Sequence, residues 1–246
     1  MDYSEFAGIL SGNYDFYLIK FPESPPYRAY SITVAERGIH SFAGNLINDQ
    51  MDSTNQKEMQ SPSAIRENLM LILHENVSLA EKINYDGFSE LIRQIRQADT
   101  VFLIATGRSG FAMRSIAMRL MHLGLKAFFA GETTTPAIKA GDLLWASSGS
   151  GSTGGILRAA GKAKQAGATV ITMTTNPGSA LAVIADTHVL IPAAEKQDHT
   201  ESKSSQYAGS LFEQFLLLIG DAVFMQLWKI EGSPAEELWK RHANME

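Results

Sequence analysis

Two short runs of glycine and hydroxyl residues are the parts of this sequence best suited to chemistry. TGRSG occupies residues 106–110 and SSGSGST residues 147–153, each directly after an apolar segment that reads as a strand. The second run sits inside WASSGSGSTGG (145–155), which holds five hydroxyls and four glycines without one charge. A stretch that small and polar has nothing to bury. It suits an oxyanion: glycines let the backbone approach a ligand, and a following helix N-terminus offers free amides and a positive dipole end. Hydroxyls then complete the shell. Gly107, Ser109, Ser148, Ser150, Ser152 and Thr153 are the candidate phosphate contacts, and Arg108 either faces the phosphate or caps a turn as a surface cation.

Other phosphate chemistries fit less well. Gly149, Gly151 and Gly154 match GxGxxG. A dinucleotide site also wants a carboxylate about 20 residues on, where this chain reads MTTN (173–176). No lysine follows the glycines as in a Walker loop. Five hydroxyls suit a phosphomonoester better than a pyrophosphate, and a flexible Ser/Gly loop is the plain alternative.

The elements that must position these turns are readable from residue 61 onward. AIRENLMLILHENVSLAEKI and DGFSELIRQIRQA have helical spacing, the first opened by Ser-Pro-Ser. Five short apolar segments follow: VFLIA (101–105), KAFFA (126–130), DLLWAS (142–147), TVITMT (169–174) and THVLIP (187–192). Helical stretches alternate with them. The reading is α/β: a five-stranded, parallel, doubly wound sheet of flavodoxin-like type, with helices on both faces. With strand order 2-1-3-4-5, both turns flank the crevice where the order reverses. After residue 208, GSLFEQFLLLIGDAVFMQLWKIEG is a long helix, apolar on nearly every side, which predicts burial against more than one neighbour.

Composition sets limits. The 246 residues are 45% hydrophobic, carry a net charge of −5 and include no cysteine. Disulfides, thiolate metal sites and a cysteine nucleophile are excluded, and the cytoplasm is the expected location. The absence of a basic cluster argues against nucleic acid as a partner. No uninterrupted run of about 18 apolar residues suggests a membrane span, and the N-terminus lacks the pattern of a secretory signal. Residues 1–60 differ from the rest: they hold four Lys/Arg against eight Asp/Glu, and three prolines fall within residues 22–26. They read as a poorly ordered N-terminal extension ahead of a domain spanning 61–246, with Met51 or Met59 as a possible natural start.

TGRSGFAMRSIAMRLMHLG, GETTTPAIKAGDLLWASSGSGST, GSLFEQ and KRHANME, in that order, resemble the sugar isomerase (SIS) domain family over roughly residues 62–246. More narrowly, they are similar to its branch of phosphohexulose isomerases in the ribulose monophosphate pathway of formaldehyde fixation. Thr106 and Ser152 depart from residues common in that family (a small apolar residue and Glu), without removing a group the phosphate loop needs. The resemblance implies interconversion of D-arabino-hex-3-ulose 6-phosphate and fructose 6-phosphate through an enediol. It needs one base, a proton shuttle between two oxygens and a phosphate anchor, but no metal or redox cofactor. It makes Glu213 the candidate base, where a dipole-complementing Glu would otherwise be read. It makes His242 the partner that shuttles a proton or steadies the enediolate. Together with the all-round apolar helix it also implies an oligomer, expected to be a homotetramer, in which His242 acts either within its own chain or, carried by the tail, in a neighbour's crevice.

Two competing functions are an isomerase of a related sugar, such as arabinose 5-phosphate, and a non-catalytic sugar-phosphate sensor. The former usually carries extra C-terminal domains that this sequence lacks; the latter needs a DNA-binding helix pair ahead of the domain. Three further residues read as structural: Glu132 hydrogen-bonded to Thr134 or Thr135, and His122 and His188 as satisfied core histidines.

Overall fold

The computed structural model describes residues 19–20, 31–32, 62–196 and 204–245. The chain divides into two units, Met1–Met59 and Gln60–Glu246. In the first, β1 (Ile19–Lys20) and β2 (Ser31–Ile32) pair antiparallel, with Ile19 opposite Ile32. The expectations of a poorly ordered extension and a later start otherwise lie outside the described residues.

The second unit opens with α1 (Pro62–Lys82) and α2 (Asp86–Gln97), followed by β3 (Val101–Ile104) and α3 (Gly107–His122). β4 (Ala127–Phe129), β5 (Leu143–Ser147), α4 (Gly154–Gln165) and β6 (Thr169–Thr174) come next. The chain continues through α5 (Ala180–Ile184), β7 (Thr187–Leu190), α6 (Ser210–Glu231) and α7 (Ala235–Trp239). The sheet order is β4-β3-β5-β6-β7 with every neighbouring pair parallel. This is the expected 2-1-3-4-5 arrangement, so the order reverses between β3 and β5.

The central strands β3, β5 and β6 are buried along nearly their whole length because both faces of the sheet are covered there. Alternation assigns each side chain to a layer. Val101, Leu103 and Trp145 pack against α2, α3 and α6, while Phe102, Leu144 and Ala146 pack with Ile156 and Ala160 of α4 and Leu181 of α5.

α6 is the one described helix long and apolar enough to cross a membrane by length and composition. Here it is a core helix: Leu211, Phe212, Phe215, Leu216, Ile219, Val223, Phe224 and Leu227 are buried. It runs parallel to α3, with Arg108 beside Ser210 and Arg119 beside Asp221. Between those contacts the helices touch closely. A Cβ on Gly220 would lie 2.2 Å from Ile116 Cδ1. The rest of its apolar surface, including Leu218 and Met225, is exposed in the single chain, as are Ile65, Leu69 and Val77 of α1 and Phe111 of α3.

Candidate active site

The crevice beyond β3 and β5 holds a cavity of about 440 Å³, within the range of small-ligand sites. Thr106 and Ser109 line it from the first turn; Ser148, Ser150, Ser152 and Thr153 line it from the second. Five of the seven expected phosphate contacts therefore share one wall. Asn176, Ser179, Glu195, Lys196 and Phe212 close the remainder.

The turn between β5 and α4 is fixed from beneath. The Ser148 amide donates to the Met173 carbonyl at 3.0 Å. The Gly149 carbonyl accepts from the Thr175 amide at 2.9 Å and from the Thr174 and Thr175 hydroxyls at 2.9 and 2.8 Å. The Leu181 amide donates to the Gly151 carbonyl at 3.0 Å. Gly151 has φ +59°, and a Cβ there would sit 2.0 Å from Ser179 Oγ. Only glycine meets both conditions. The hydroxyls also meet one another: Ser148 and Thr153 lie 3.1 Å apart, and Ser152 Oγ donates to Ser150 Oγ at 3.0 Å.

The turn between β3 and α3 is tied sideways. Gly107 has φ +61°, and α3 begins from an extended Thr106. Arg108 does not line the cavity wall. Its Nη1 donates to Ser210 Oγ at 2.9 Å and stands 3.0 Å from Glu213 Oε2.

Glu213 lies in the first turn of α6, its side chain 6% exposed. A buried carboxylate is costly unless paired, and two cations pair it here. Arg108 approaches one oxygen, while Lys196 Nζ stands 3.5 Å from Oε1. Lys196 and Glu195, both in the loop after β7, are cavity residues that no motif marked. The approach to α6 is built from polar contacts. Glu75 of α1 accepts from Ser204 Oγ and the Ser205 amide at 2.7 Å, and from Gln206 Nε2 at 2.9 Å. Burial pushes the Glu75 carboxyl up, but these hydrogen bonds outweigh it and hold it below its ordinary value. Ala208, at φ 40°, is the one described non-glycine residue with positive φ. It immediately precedes Gly209, φ 75°, at the helix start, so strain collects beside the site.

His242 lies elsewhere in the chain. Its ring stacks on His122 at 3.9 Å between centroids and on Trp239 at 4.7 Å. His122 ends α3, fifteen residues beyond Gly107, or about 22 Å along the helix. One chain therefore does not bring His242 to Glu213.

Three structural expectations are corrected. His122 is buried, but its Nδ1 has no hydrogen-bond partner among the described residues. Burial, aided by His242 and Arg119, lowers its pKa. His188 is exposed, because β7 turns that side chain off the core. The Glu132 side chain pairs with Arg114 at 3.3 Å, so its expected hydrogen bond to Thr135 runs through the main chain: the Glu132 carbonyl accepts from the Thr135 amide at 3.0 Å, while the Thr135 hydroxyl donates to the Phe129 carbonyl.

The SIS domain model matches residues 94–218. The chain belongs to the SIS domain family. It is 52% identical over 182 residues to a 3-hexulose-6-phosphate isomerase of Mycobacterium gastri, covering 74% of this chain and 92% of that relative. A Bacillus subtilis protein of the same name is 39% identical over 176 residues, covering 71% and 95%. A Methanococcus jannaschii protein, whose crystal structure was reported to infer 3-hexulose-6-phosphate isomerase function, matches with TM-score 0.63 and 31% identity. That likeness covers 73% of this chain and 99% of the other.

Proposed function

We propose that this chain is an isomerase that interconverts D-arabino-hex-3-ulose 6-phosphate and D-fructose 6-phosphate. The observation that supports this reading is a hydroxyl-lined cavity at the sheet's switch point whose lining residue Lys196 stands 3.5 Å from the buried Glu213 carboxylate, which itself lies just behind the cavity lining, next to Phe212. The names of the Mycobacterium gastri and Bacillus subtilis relatives support the choice of sugar.

Ser109, Ser148, Ser150, Ser152 and Thr153, with amides of both turns including Gly107, hold the phosphate. Arg108 adds positive charge beside it. Glu213 removes the proton from C2, next to the C3 carbonyl, and the electron pair forms the C2=C3 enediolate with negative charge on O3. A proton then moves from O2 to O3. Glu213 returns its proton to C3, leaving the C2 ketone.

The catalytic domain is residues 61–246, with 1–60 an appendage. The enzyme works in the cytoplasm, in the ribulose monophosphate route of formaldehyde fixation. Its exposed apolar faces on α1, α3 and α6 support association between copies, which we take to be a homotetramer. In that assembly the exposed His242 of one chain steadies the enediolate in another's crevice. The test is incubation with D-arabino-hex-3-ulose 6-phosphate, with arabinose 5-phosphate in parallel. Release of fructose 6-phosphate is expected; turnover of the pentose alone would replace the assignment.

A further inference from the structure

Isomerisation needs something on the oxygen side of the substrate as well as a base on the carbon side. The negative charge that develops on O3 must be stabilised, and a proton must pass from O2 to O3. Among the described residues of one chain, His242 is remote from the cavity. The titratable side chains that line it are Glu195 and Lys196. Glu195 is an anion whose Oε1 accepts from the Thr175 hydroxyl at 3.4 Å; it would repel a developing oxyanion. Lys196 has the opposite sign and the better position. Its Nζ stands 3.5 Å from Glu213 Oε1, and 3.7 Å from where a Cβ on Gly107 would lie. It therefore sits between the first phosphate turn and the base. Its side chain is 63% exposed while that of Glu213 is 6% exposed, so the ammonium can shift toward a ligand and the carboxylate cannot.

Resting on the reading of this site as an isomerase, we propose that Lys196 is a catalytic residue, the group of the same chain that carries the proton between the two substrate oxygens, while the His242 delivered by another chain steadies the enediolate. In the free enzyme its ammonium neutralises Glu213. With substrate bound it turns to the C3 carbonyl oxygen and polarises it. As Glu213 takes the C2 proton, Lys196 gives a proton to O3; the resulting amine takes the proton from O2. Glu213 then delivers its proton to C3. Lys196 ends as ammonium and Glu213 as carboxylate, so the cycle closes without another reagent. Both groups belong to one chain.

The test compares wild type, Lys196→Ala and Lys196→Arg with D-arabino-hex-3-ulose 6-phosphate. Lys196→Ala should lose about 10²-fold or more in kcat, with KM within a few fold and the affinity for fructose 6-phosphate retained. Added ethylamine should restore part of kcat in Lys196→Ala and none in wild type, a response that a merely structural lysine would not give. Lys196→Arg should bind substrate but remain at least about tenfold slow, because a guanidinium stays charged and cannot return a proton. Mixing Glu213→Gln with Lys196→Ala subunits should restore nothing. A raised KM with unchanged kcat would make Lys196 a phosphate anchor and overturn the assignment. So would kcat loss that no amine repairs, or activity regained on mixing. If Lys196→Ala matches an active wild type, Lys196 has no such role; an inert wild type removes the substrate reading itself.

Discussion

The two turns that line the crevice are built from the same residue types but held in different ways. The β5–α4 turn is wired downward into β6 and α5 through Gly149, Gly151 and Ser148, and it carries no charge. The β3–α3 turn is wired sideways to α6 by Arg108, which reaches both Ser210 and Glu213. One is a fixed cradle whose shape is set by the sheet. The other is tied to Glu213, the proposed base. Under the proposed mechanism, the first turn would set binding geometry and the second would link binding to chemistry.

The hardest blow to that division falls on its catalytic side. Glu213→Gln keeps the shape and removes the base. Turnover should drop by about 10²-fold or more, while calorimetric affinity for fructose 6-phosphate stays within a few fold. A mutant with near wild-type turnover would separate the second turn from the chemistry.

A matched pair of glycine substitutions asks whether the cradle is the stiffer turn. Gly151→Ala combines a left-handed φ with overlap against Ser179, so about 2–5 kcal/mol of stability should be lost. At Gly107 the φ is similar, but the nearest atom is the mobile Lys196 Nζ at 3.7 Å. There only the backbone cost of about 1–2 kcal/mol applies. Denaturant midpoints measure both; equal losses would contradict the contrast.

Ser150→Ala trims the cradle itself. Losing one hydrogen bond to a charged group costs about 1.5–3 kcal/mol, so KM should rise roughly tenfold or more with kcat little changed. Steady-state kinetics would show an unchanged KM if the phosphate sits elsewhere.

The smallest effect lies at the far end of α3, away from both turns. The lowered pKa of His122 means that the folded state resists a proton that the unfolded chain accepts near pH 6.5. Stability is therefore full above that pH and falls as the pH drops below it, levelling once the folded pKa is passed. Melting temperatures across that window should decline in wild type and flatten in His122→Gln. Arg119, Arg241 and His242 face the ring and are unchanged in the variant. An unchanged slope would clear His122.

These contrasts also mark what the sequence could reveal. The five strands and their order were legible because each is a short, bounded apolar run, and the parallel sheet leaves few ways to connect them. The two crevice turns were legible because glycine and serine directly after a strand are a local signal. Lys196 and Glu195 were not, since the loop after β7 has no periodicity and meets α6 only through the fold. The Arg108–Glu213 pair joins residues far apart in sequence, so spacing could not announce it. For His122 the helical face was read correctly but its partner was not, because hydrogen bonding depends on neighbours that chain position does not name. α5 and α7, five residues each, are too short for a periodic pattern to appear.

The near contact between Gly220 and Ile116 gives the enzyme an inheritance problem as well as a packing solution. Gly220 is seven residues beyond Glu213, about 10 Å along the helix, and touches nothing that a substrate would touch. Because it lets α6 lie directly on α3, it sets the height at which Glu213 meets Arg108. A single methyl at that point must lift or slide one helix against the other, displacing Glu213 from its cations. Genetic drift at a site with no chemistry of its own is thus policed by activity. In a random mutant library screened for turnover, this remote position should be nearly as intolerant as the crevice.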